Sequence, residues 1–235
     1  MGLNYFYFNG KSSAEFGVFI SGEHTWATPR EDMDIIAVPG KNGTVSISRG
    51  RYENIDITYP CFIADDFDKN FSAFKAYLMS QSGRCKLYDT YHSDVYRIAR
   101  YLGGIFPQMT QLNRHGEFEI TFDCDPRRFL TNTSTLVEHT TGVGIKNDTR
   151  FTAKPLIRAY GTGTVTIGSI SVTVNTASGY TDLDCEIQEA YKDSTNCNGN
   201  ITLTNGEFPV IEPGINAFTY TGFSKVEIAL NLWTI

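Results

Sequence analysis

No stretch of this sequence approaches the roughly 20 apolar residues that a helix needs to span a bilayer. The opening MGLNYFYFNGKSS has neither a basic segment nor an apolar core followed by a cleavage site, so it does not read as a signal peptide. Phe6 stands where a myristoylation signal requires Ser or Thr. Positive charge is scarce too. Lys and Arg number 20 against 26 Asp and Glu, a formal net charge of −6, and no basic run occurs. Residues 1–130 hold 14 cationic and 16 acidic side chains, and the remainder holds 6 and 10, so both halves are mildly acidic. That balance argues against a surface built to neutralise phosphates, and hence against specific nucleic-acid binding.

The chemistry of sites is equally thin. Five cysteines, Cys61, Cys85, Cys124, Cys185 and Cys197, are an odd number without a Cys-x-x-Cys pair, which argues against a disulfide framework or a zinc knuckle. Free, mostly buried thiols made in a reducing cytosol are expected, with a Cys185/Cys197 bridge left open as the exception. With no secretory context, the Asn-x-Ser/Thr matches at Asn42, Asn132, Asn147 and Asn200 read as chance. His24, His92, His115 and His139 are scattered, none at i, i+4 spacing with another ligand, so no metal site is expected. His92, Ser93 and Asp94 adjoin in sequence, whereas triad partners come together from distant positions. No Gly-x-Ser-x-Gly elbow occurs. Gly40 to Thr44 lacks the spacing of a phosphate loop, and Gly161-Thr162-Gly163 lacks the third glycine of a dinucleotide fingerprint. The acidic pairs Asp32/Asp34, Asp65/Asp66 and Asp182/Asp184 could suggest glycoside hydrolysis, but that needs a set separation across a cleft and adjacent acids at turns are ordinarily solvated. The expectation is a protein with no catalytic residues, cofactor or metal.

What the sequence has in abundance is aromatic residues, 16 Phe and 13 Tyr, set among Thr and Gly. These favour strands and turns, and the expected class is mainly β, with an α+β N-terminal domain carrying one helix. Period-two alternation marks strands at residues 3–8, 16–20, 34–38, 44–49, 54–63, 84–88, 94–101 and 117–124. In residues 65–81, Phe67, Phe71, Phe74 and Leu78 recur at helical spacing and predict one amphipathic helix with its Phe stripe in the core. Periodicity fades over residues 131–150, which read as a linker between domains 1–130 and 151–235. The second domain is expected to be a β-sandwich, with strands at 156–160, 164–167, 169–174, 184–187, 219–222 and 225–232.

The segment VPGKNGTVSISRGR, from Val38 to Arg51, crowds Pro39, Gly40, Asn42 and Gly43 between two alternating runs and predicts a hairpin, with Asn42-Gly43 as its tight turn. Upstream lies FNGKSSAEFGVFISG, and downstream follow the helix, KLYDTYHSDVYRIARYL and GEFEITFDCDPRRF. The C-terminal third carries KPLIRAYGTGTVTIGSISVTV and GEFPVIEPGINAFTYTG. In that order these blocks resemble the distal tail protein family of bacteriophages with long, non-contractile tails, over nearly the whole chain.

The resemblance implies a structural virion protein at the tail tip. Its N-terminal domain would form a hexameric ring that joins the tail tube to the baseplate, and a galectin-like second domain would hold receptor-binding or adhesin proteins. Implied partners are the chain itself, the tube protein, the tail-associated hub or lysin protein and the receptor-binding proteins. Phage DNA would pass through the ring, repelled by its acidity rather than bound. Within that picture Val38, Pro39, Gly40, Lys41, Asn42 and Gly43 form the candidate contact hairpin, with Lys41 and Arg49 as charged partners. The alternative is a phage-derived lectin-like module for cell-wall sugars, for which exposed rings such as Tyr91, Tyr96 or Tyr180 would form the platform. The His, Asn, Arg and Trp set of a galectin site is missing, since the second domain's one Trp, Trp233, lies near the chain end. An enzyme is a third reading.

Overall fold

The structure is a computed structural model, and it describes residues 2–22, 27–110 and 114–235. His24 and Trp26 lie outside the described residues. Described residues up to Arg128 form one compact unit and Phe129–Thr234 a second.

The first unit contains β1 (Phe6–Phe8), β2 (Lys11–Ser12), β3 (Val18–Ile20), β4 (Glu31–Ala37), β5 (Thr44–Tyr52), β6 (Ile55–Ile63), α1 (Phe67–Ser80), β7 (Cys85–Asp89), β8 (Val95–Tyr101), β9 (Gln108–Thr110) and β10 (His115–Cys124). Its main sheet runs β2-β1-β7-β8-β10-β6-β3, with β9 also paired to β10. β10 and β6 pair antiparallel along their whole length, from Gly116 opposite Ile63 to Cys124 opposite Ile55. Their alternation sends Ile57, Tyr59, Ile120 and Phe122 into the core and Asp56, Glu117 and Glu119 outward, as half-buried strands require. Phe67, Phe74 and Leu78 of α1 are buried against this face. Phe122 meets the rings of Phe6, Phe8, Tyr59 and Tyr101 at centroid distances of 5.6, 5.0, 6.3 and 6.0 Å. The helix thus buries the stripe that its spacing predicts. Asp66 stands at its N-cap with a left-handed φ of +48°, and its side chain makes no capping hydrogen bond.

The second unit contains β12 (Val137–Glu138), β13 (Ile145–Asn147), β14 (Leu156–Tyr160), β15 (Gly163–Ile167), β16 (Ile170–Val174), β17 (Tyr180–Asp184), β18 (Glu189–Lys192), β19 (Thr195–Asn196), β20 (Ile201–Leu203), β21 (Gly214–Asn216), β22 (Phe218–Thr221) and β23 (Lys225–Ala229), with the short β11 (Arg128–Leu130) before them and β24 (Trp233–Thr234) after. One sheet runs β12-β23-β14-β17-β18-β19 and another β20-β16-β15-β22, with β13-β21 a separate ribbon. Ile157, Ala159, Leu183, Val226 and Ile228 of the first sheet share a core with Val165, Ile167, Val172, Val174 and Phe218 of the second.

Two sequence expectations need correction. Residues 131–150 do not run as a free linker, because Val137 pairs Ile228 and Ile145 pairs Asn216. Buried Asn147 ties the segment down, its Nδ2 donating to the carbonyls of Phe151 and Ile211 at 2.9 and 3.1 Å. Bonds from side chain to backbone leave no hydrophobic period, so a structured segment reads as polar loop. The strand expected at 184–187 ends at Asp184, whose Oδ1 accepts the N–H of Glu186 at 3.0 Å and turns the chain into β18.

Candidate assembly interface

The hairpin expected around Val38 exists, but its turn chemistry differs. Lys41 N–H donates to the Val38 carbonyl at 3.1 Å, so Pro39 and Gly40 occupy the corners, with Gly40 at φ +82°. That arrangement, with Pro first and a positive-φ Gly second, is the pattern of a type II turn. Gly43 takes φ +83°, whereas Asn42 keeps a negative φ, so Asn42-Gly43 is not the turn itself. The loop 38–43 exceeds the two residues of a primed turn, so the Pro-Gly corner inside it sets the bend.

Among the described residues β4 and β5 pair only with each other. Neither face of this ribbon packs into a core, and Met33, Ile35, Ile36, Val38 and Ile47 stand exposed, Ile35 at 67 %. An isolated two-stranded hairpin is marginal in water, and both of its outer edges are templates for further pairing. Near its base an ionic ladder holds the strands in register. Arg49 donates Nε and Nη2 to the two oxygens of Asp34 at 3.2 and 2.8 Å, and Arg51 Nε meets Asp32 at 2.6 Å. The Asp34 hydrogen bond, then the Asp32 charge, raises the Arg49 guanidinium above its ordinary value. Arg49 is therefore committed within its own hairpin. Lys41, at the loop, makes no ion pair among the described residues.

The rings named for a sugar platform are engaged by other groups. Tyr91 and Tyr96 belong to the first unit, where Tyr91 donates its hydroxyl to the Gly22 carbonyl at 3.0 Å and Tyr96 is buried with Lys86 Nζ 4.4 Å above its ring. Tyr180 belongs to the second, with Arg158 4.5 Å and Lys192 5.4 Å from its ring centre and its hydroxyl on Asp193 at 2.6 Å. Two of the acidic pairs, Asp32/Asp34 and Asp182/Asp184, are occupied as well. Asp182 is gripped by Arg158 Nε and Nη2 at 2.7 and 2.8 Å, and Asp184 closes the turn described above. His92 faces Asp89, its backbone N–H donating to that carboxylate at 3.0 Å and its ring Nδ1 lying 3.5 Å from it, and Asp89 also accepts the Tyr59 hydroxyl at 2.8 Å. Burial, then the Asp89 charge, pushes that phenol well above its usual range. Among the described residues no group of three His, Cys, Asp or Glu is placed to hold a metal ion.

A feature that sequence reading missed is a trough beside β10, produced by a departure of the chain from the sheet. β8 leaves β10 after Tyr101 opposite Phe122, and β9 returns at Gln108 opposite Glu117. Residues 102–107 bulge outward between them, aided by Gly103 and Gly104 at φ +90° and +82°. The paired glycines were its one visible signal.

No known protein-family profile matches the sequence, and no curated protein matches it. Solved structures do. The Dit protein (gp 19.1) of phage SPP1, described as a paradigm of the hub adsorption apparatus in phages that infect Gram-positive bacteria, superposes with a TM-score of 0.74 at 11 % identity, covering 100 % of both chains. Baseplate structures of phage p2 in the activated conformation, with strontium and with calcium, match at TM-scores of 0.59 and 0.58, each at 12 % identity over 97 % of both chains. The chain has, from end to end, the fold of the phage Dit hub proteins.

Proposed function

We propose that the chain is a non-enzymatic structural subunit, a distal tail protein whose first unit closes into a ring, six-fold by analogy, at the end of a long non-contractile phage tail. The ring joins the tail tube to the baseplate, and the second unit offers a platform to receptor-binding proteins. The observation that carries this reading is the free-standing β4–β5 hairpin. A ribbon with unpaired edges and bare Ile and Met side chains gains most of its stability when another chain covers it. The fold shared with SPP1 Dit over the full length supports the same reading.

The test is the native mass of the full-length protein by light scattering after size exclusion, with negative-stain imaging of the peak. Six chains of 26.3 kDa amount to roughly 158 kDa, and particles with a central hole are expected, free in solution or on purified tail tubes. Phage particles whose tail tips lack the protein would overturn the reading.

A further inference from the structure

The trough beside β10 is an open depression of about 500 Å³, a size comparable with ligand clefts. Its floor carries Glu117, Glu119 and Thr121 on the outward face of β10 and Pro60 on β6, and its rim carries Phe106 and Gln108. Phe106 is 84 % exposed, and Leu102 and Met109 beside it are exposed too. Glu117 and Glu119 lie two residues apart on one strand face and make no ion pair among the described residues. The site is therefore a slot with an acidic floor and an apolar lip, a combination that suits a cation carried on an apolar stem.

The same chain presents that combination elsewhere. The loop of the β4–β5 hairpin lifts Lys41, which has no ion pair among the described residues, above exposed Val38, Ile36 and Ile47. We propose that the hairpin tip of one copy seats in the β10 trough of the next, with Lys41 between Glu117 and Glu119 and the apolar shoulder of Val38 and Ile36 against Phe106. The assignment rests on the hub reading and supplies its missing half, the surface that accepts the hairpin. Arg49, the other cation of the ribbon, is excluded from this role by its bond to Asp34. Donor and acceptor are different patches of one chain. Used head to tail, the contact is heterologous, and it closes a ring where the rotation between neighbours returns on itself.

Charge reversal tests this on the full chain. Light scattering is followed across concentration up to the millimolar range for wild type, Lys41→Glu, the pair Glu117→Lys with Glu119→Lys, and the triple combination. Each reversal alone should weaken association about tenfold, by juxtaposing like charges, and the triple variant should recover it. If the wild type associates while either reversal leaves it unchanged, or if the triple variant stays weak, the pairing is overturned and the ring reading stands. A wild type that remains at 26.3 kDa throughout also overturns the pairing. Microscopy of phage tail tips then decides the hub reading separately.

Discussion

The ring of Phe67, the first residue of α1, packs against the bare backbone of Gly116 in β10. A Cβ on Gly116 would stand 2.2 Å from the Phe67 ring. The helix is docked at that point by a missing side chain. Gly116→Ala is expected to force the ring away and cost about 1–3 kcal/mol in urea unfolding, as overpacking does. Gly199→Ala, where a Cβ meets nothing within 4 Å, is the control and should stay within about 0.5 kcal/mol. Equal midpoints for the two variants would mean that Phe67 is not fixed there.

Gly40 and Gly43 hold the hairpin loop at positive φ, and a Cβ at either meets open space. Valine there is strained by its backbone alone, because a β-branched side chain at φ near +80° is disfavoured. The ribbon pairs with no other strand among the described residues, so the strain should stay local. The double Val variant is expected to keep the wild-type melting temperature while assembly on the tail tube falls. Normal assembly would remove the hairpin from the contact.

The helix and most strands were legible because each buries one face, and burial leaves a period: Phe67, Phe74 and Leu78 at helical spacing, Ile55, Ile57 and Tyr59 at alternate positions. Partners across space leave no such trace. Nothing in the order of residues says that Arg49 is spent on Asp34, or that Gly116 faces Phe67 rather than water. β18 and β20 escaped notice because they are too short to show a period, and residues 131–150 because their order comes from bonds such as those of Asn147. The hairpin was visible as a candidate. Its acceptor was not, since the trough joins loop 102–107 to β6 and β10.

Thiol reactivity follows from burial. Burial pushes the Cys124 thiol up to about 12 and raises Cys61 and Cys185 as well, whereas Cys85 and Cys197 are partly exposed. Only a thiolate attacks a disulfide reagent. Titration of the native protein at pH 8 should therefore give two fast thiols, with the other three appearing in guanidinium. One fast thiol, at Cys85, would instead signal a Cys185–Cys197 bridge.

Glu227 gives the second unit an acid dependence. Its carboxylate accepts Lys225 Nζ at 2.7 Å and the Tyr160 hydroxyl at 3.0 Å, and these bonds, Lys225 first, hold it below the usual carboxylate range against the opposing effect of partial burial. A group depressed in the folded state stabilises above its unfolded pKa, about 4.3 for Glu, and loses that contribution as pH falls through the lower folded value. Solvent screens a site this near the surface, so the contribution at pH 7 is below about 1 kcal/mol. Glu227→Gln should be less stable than wild type at pH 7 by that amount and should converge with it as pH falls through the lowered folded value, because only the wild type must take up the proton. Denaturant midpoints measured from pH 7 to pH 3 check this. Two curves that stay parallel through the carboxylate range would show that Glu227 is equally acidic in the folded and unfolded chain, and that its bonds to Lys225 and Tyr160 contribute nothing to the fold.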